Sequence, residues 1–111
     1  MKKEDVIFER KEFLNLPGHN GMANIVANIV NQTYRDGELE KHLDTKLDFA
    51  DCDRRVSMYI DIGSNEYENE NAIYKVDTLI DVLTDFRKAL KKEIKIQDKL
   101  RKKREKLKEK N

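Results

Sequence analysis

From Glu70 to Ile96 the chain reads ENAIYKVDTLIDVLTDFRKALKKEIKI, and this stretch decides the fold. Ala72, Val76, Leu79, Leu83, Phe86, Leu90 and Ile94 fall along one side of a helix at about 100° per residue. No Gly or Pro interrupts the segment, and none follows it, so nothing in the sequence stops the helix before residue 111. The preceding Gly63-Ser64-Asn65-Glu66-Tyr67-Glu68-Asn69 supplies two candidate N-caps. Asn65 with Glu68 three residues on resembles a capping box, and Asn69 is the alternative start. Acidic residues here and basic ones at the far end both suit the helix dipole.

Upstream of the helix the periodicity changes. Leu43, Thr45, Leu47 and Phe49 alternate with Asp44, Lys46 and Asp48, and Val56, Met58, Ile60 and Ile62 alternate with Ser57, Tyr59 and Asp61. Two period-2 segments joined by Asp51-Cys52-Asp53-Arg54 predict an antiparallel hairpin with one apolar face, the other carrying carboxylates and hydroxyls toward water. Residues 22–34 (MANIVANIVNQTY) also predict a strand, because Ile25, Val26, Ile29, Val30 and Thr33 are β-branched. Arg35-Asp36-Gly37 reads as a turn with Gly37 at positive φ, and Glu38 to His42 as a short helical turn. Phe8 to Leu14 reads as a strand with charge on both faces, the pattern of a protected sheet edge. It ends at Leu16-Pro17-Gly18-His19-Asn20-Gly21, which holds the only proline and two of the four glycines.

Together these signals predict an α+β fold. A small antiparallel sheet of about four strands is covered on one face by a long C-terminal helix that projects beyond it. Leu83 and Phe86 are expected to pack on Leu47, Phe49, Met58 and Ile60. Past Ile96 only Leu100 and Leu107 are apolar. The division expected is therefore residues 1–96 as sheet plus helix and 97–111 as a basic helical tail.

With 111 residues the chain is of single-domain size, and its 41 % charged against 38 % hydrophobic residues are patterned rather than scattered. No apolar run is long enough to span a bilayer, and Met1-Lys2-Lys3-Glu4-Asp5 lacks a signal-peptide apolar region. The single Cys52 cannot form an internal disulfide, so a reducing cytoplasm is the expected compartment. The net charge of +1 conceals an asymmetry: residues 88–111 hold twelve Lys/Arg against four Asp/Glu, a balance of +8, leaving −7 for residues 1–87.

Two features carry the functional expectation. Val82, Ala89, Ile96, Leu100 and Leu107 form a second apolar stripe about 120° round the helix, with repeats of seven at 82–89–96 and 100–107. A helix covering one sheet needs only one face, so this stripe points to a protein partner, most simply a second copy in a homodimer. Glu93, Lys103 and Lys110 fall at seam positions and interrupt the coiled-coil pattern. The second feature is the cationic run Lys99, Arg101, Lys102, Lys103, Arg104 and Lys106, which could contact nucleic-acid phosphates or an acidic surface. It has no aromatic residue for stacking on single strands.

No catalytic residue, metal site or cofactor is assigned. Asp77, Asp81 and Asp85 recur at i, i+4, i+8, but an ordinary polar face explains them better than a cation site, and Lys88 can pair with Asp85. Cys52, His19 and His42 have no flanking signature of a nucleophile and base. The His19-Asn20-Gly21 loop could contact a partner, though turn chemistry alone accounts for it.

The strings FERKEFLNLPG (8–18), DCDRR (51–55) and YKVDTLIDVLTDFRKALKKE (74–93) resemble small phage or prophage proteins of low-GC bacteria. The resemblance implies an accessory or host-interaction role in a bacterial cytoplasm. It carries over no site residues, because none of these strings is a motif of known chemistry.

Overall fold

The computed structural model describes residues 6–32 and 43–110. The expected turn at Arg35-Asp36-Gly37, the helical turn at Glu38–His42 and the amino-terminal residues 1–5 lie outside this range. Four strands precede one helix: β1 (Val6–Phe13), β2 (Asn24–Asn31), β3 (Leu43–Asp51), β4 (Arg54–Tyr59) and α1 (Glu66–Glu109). The fold is α+β, a small four-stranded antiparallel sheet capped by one long C-terminal helix. Strand order follows chain order, β1-β2-β3-β4, so β1 and β4 are the edges.

Each strand sits where its composition suits it. β2 and β3 are central, and the β-branched Ile25, Val26, Ile29 and Val30 give β2 its pleated, two-sided packing surface. β1 carries the exposed charges Glu9, Arg10, Lys11 and Glu12 along its edge, and a register shift between Val6 and Phe8 bends it. The β1–β2 connection turns at Leu16-Pro17-Gly18-His19, where His19 N–H donates to the Leu16 carbonyl at 3.0 Å. Pro17 presets its φ, and Gly18 takes the positive φ of 88° that this turn demands at its third residue. At the β3–β4 hairpin the Asp51 carboxylate accepts from Cys52 N–H at 2.8 Å, which closes the tight turn between Asp51 and Arg54.

The register places Leu47 opposite Met58 and Phe49 opposite Val56, so the apolar residues share a face as their alternation predicts. Burial does not follow that face, however. Val56 is 62 % exposed, whereas Asp48, on the opposite face, is only 5 % exposed. The strand's place in the sheet accounts for the inversion: Asp48 lies on central β3 between Val26 and Ser57, and Val56 lies on edge strand β4. Among the described residues Asp48 Oδ1, Asn28 Oδ1 and Thr45 Oγ1 are buried without a hydrogen-bond partner, and Lys46 Nζ stands 4.0 Å from the other Asp48 oxygen.

Helix α1 begins as its cap predicts. Asn65 Oδ1 accepts from Glu68 N–H at 2.9 Å, and the Asn65 carbonyl takes the first helical bond from Asn69 N–H at 3.1 Å. Asn69, the alternative cap, instead accepts from Gly63 N–H at 2.7 Å and fixes the approach to the helix. Glu66 and Glu68 occupy the first turn, Lys106 and Lys108 the last. The chain forms two compact units, Met1–Tyr74 and Lys75–Asn111, so the opening turns of α1 belong with the sheet. Ala72 there is 2 % exposed and, with Val30 and Ile60, makes up the buried apolar core among the described residues. Leu83 and Phe86, expected to be buried on Leu47, Phe49, Met58 and Ile60, are instead 55 % and 57 % exposed. Helical periodicity shows which side of a helix is to be buried, but not what buries it.

Two substitutions test this account of the helix start. Asn65→Ala removes the cap and should cost about 0.5–2 kcal/mol in chemical denaturation. At Gly63 a Cβ would meet nothing within 4 Å, yet φ is +95°. Gly63→Ala should therefore cost about 1–2 kcal/mol from the backbone alone, and an unchanged midpoint would show that the chain enters α1 by another path.

Candidate interaction surface

The second unit is helical from Lys75 to Glu109, and every residue from Asp81 to Gln97 is exposed. Its polar side behaves ordinarily. Thr84 Oγ1 donates back to the Ile80 carbonyl at 2.7 Å, and Asp98 pairs with Arg101 one turn on at 3.3 Å. Its apolar side is unusual for a folded chain. Leu83, Phe86, Leu90 and Ile94 on the first stripe are all 47 % exposed or more.

The five stripe residues inferred from sequence fall on this same open helix. Val82, Ala89, Ile96, Leu100 and Leu107 are all exposed, with Ile96 the least so at 40 %. Ile96 and Leu100 line a shallow, open depression on the helix surface together with Lys99, Lys102, Lys103 and Lys106. The two inferred surfaces therefore overlap there: four of the six cationic residues lie beside the apolar stripe. Lys99, Arg101, Lys102, Lys103, Arg104 and Lys106 are all exposed, and Arg101 and Arg104 border a second shallow depression with Glu105 and Lys108.

The remaining candidates take structural roles. His19 Nδ1 accepts from Gly21 N–H at 2.8 Å, so this imidazole holds its own loop together. Cys52 is an exposed free thiol on the β3–β4 turn. Asp77, Asp81 and Asp85 are exposed, and among the described residues no group of His, Cys, Asp or Glu is arranged to hold a metal ion. His42 lies outside the described residues.

At the β1–β2 loop, where the sequence reading singled out only His19-Asn20-Gly21, an apolar surface escaped it. Phe13, Leu16 and Met22 are 60 %, 80 % and 59 % exposed around the β1–β2 loop, where they line a shallow cleft with Pro17 and His19. Lys11 Nζ sits 5.7 Å from the Phe13 ring centre, a cation over an aromatic face. The available signal was the presence of Leu14, Leu16 and Met22 on either side of a Pro-Gly turn, where polar residues are usual.

The fold and its open surfaces define a class: a sheet unit bearing a long amphipathic helix. Comparison with family models, curated proteins and solved structures finds no match to this chain. No helix among the described residues is long and apolar enough to cross a membrane.

Proposed function

We propose that this is a non-enzymatic accessory protein, of the phage type its sequence resembles, that acts in a bacterial cytoplasm through protein–protein contacts made by α1. The observation that carries this reading is the exposed stripe Val82, Ala89, Ile96, Leu100 and Leu107. Burying a Val, Leu or Ile side chain is worth about 1.5–3 kcal/mol. A helix that leaves a row of them open therefore has a large return available from a protein partner. Exposed ion pairs contribute about 0–1 kcal/mol each, so charge on the same helix tunes the contact rather than supplying it.

Ile96→Glu combined with Leu100→Glu tests the reading directly. Affinity capture from a nuclease-treated bacterial lysate at near-molar salt should retain specific proteins with the wild-type chain and lose them with the double variant. Circular dichroism and sheet stability should stay unchanged. The same proteins captured by both chains would refute the assignment of the stripe.

The exposed run from Lys99 to Lys106 supports a second reading, an accessory protein that binds nucleic acid through its basic tail. Lys and Arg without base-reading partners should bind duplex weakly and without sequence preference. With about four to six phosphates neutralised, log K should fall with log salt at a slope of about −4 to −5. Removal of residues 97–111 should abolish the binding and spare the sheet unit. No duplex binding at low salt would eliminate this reading.

A further inference from the structure

We infer that the partner of α1 is a second copy of the same chain, paired antiparallel about an axis between Arg87 and Lys88. This rests on the reading of α1 as an association surface, and three observations on the helix carry it further.

The first is the seam itself. Leu79, Phe86, Glu93, Leu100 and Leu107 recur every seven residues, as do Val82, Ala89, Ile96, Lys103 and Lys110. The two lines interleave at spacings of three and four, the a/d pattern of paired helices. Phe86, Val82, Ile96, Leu100 and Leu107 are exposed in the single chain, so the seam stands open.

The second is the position of the charges within that seam. In a parallel pair each residue meets its own twin, so Glu93 faces Glu93 and Lys103 faces Lys103 across a desolvated layer. Like charges in that position oppose association. An antiparallel pair about Arg87 and Lys88 removes both clashes. Glu93 then lies level with Val82, Leu79 with Ile96, and the large Phe86 with the small Ala89; Leu100, Lys103 and Leu107 fall level with Lys75, the buried Ala72 and Glu68, beyond these central layers.

The third is the charge along the helix. Glu66 to Arg87 holds two Lys/Arg against six Asp/Glu, a balance of −4; Lys88 to Glu109 holds eleven against four, a balance of +7. The sign changes where the proposed axis lies. Antiparallel pairing sets each acidic half beside the partner's basic half and opposes the helix dipoles favourably. Parallel pairing runs two strongly basic halves side by side. The apolar seam supplies the affinity, and the charge halves select the orientation.

Spin labels test this in the full chain with Cys52→Ser, which removes the native thiol. Labels at Lys88→Cys and, separately, Lys106→Cys are measured by pulsed dipolar spectroscopy on protein shown by sedimentation to be dimeric, with helicity checked by circular dichroism. Paired helices lie about 8–10 Å apart, so the label near the axis should read under about 30 Å. The label at 106 should read about 55 Å, from thirty-seven residues at about 1.5 Å each. Short distances at both positions would mean parallel pairing and overturn this inference, while leaving α1 an association surface. A chain that sediments as a monomer at high concentration would overturn the second copy as occupant. In that case the capture experiment with Ile96→Glu and Leu100→Glu still decides whether the stripe binds another protein. Long distances at both positions would place the contact away from α1 and overturn the inference together with its seam.

Discussion

An amphipathic helix has to bury its apolar side, and in this protein that requirement governs the rest. At the start of α1, within the sheet unit, Ala72 is buried. From Leu83 to Ile94 the same side of the helix stays open. Native stability is about 5–15 kcal/mol, and each large apolar side chain left in water forgoes about 1.5–3 kcal/mol. Four such residues on one stripe are therefore comparable to the whole stability of a domain. That magnitude is why the open helix surface, more than its charge, dominates the functional reading.

Charge has a different part. The exposed cations of the C-terminal half repel one another when aligned in parallel and attract the acidic N-terminal half of another helix. Individually these contacts are weak and screened beyond about 8–10 Å at physiological salt. Collectively they discriminate between orientations of similar apolar burial. The same cations could hold phosphates, and the depression that Lys99, Lys102, Lys103 and Lys106 line with Ile96 and Leu100 puts both uses in one place.

The sheet contributes a scaffold whose edges are managed rather than sealed. β1 bears its run of charges and a register shift, and β4 opens with Arg54 and Arg55. Such edges resist pairing with other strands.

Among the described residues the local elements were legible because local physics governs them. Period-2 alternation located the β3–β4 hairpin, β-branching within residues 22–34 marked the strand observed at Asn24–Asn31, and Asn65 marked the start of α1. The Pro17-Gly18 turn followed from backbone conformations that only those residues adopt without cost. Burial was not legible in the same way. Alternation placed Asp48 on the solvent face, yet it is buried because β3 is central; Val56 lay on the apolar face, yet it is exposed because β4 is an edge. Likewise the stripe at Leu83 and Phe86 announced an apolar face and seemed to assign it to the sheet. Sequence periodicity records that a side chain avoids water, since that depends on its own position along the element. What covers it depends on strand order and on neighbours distant in sequence or on another chain, and those are settled only by the assembled fold.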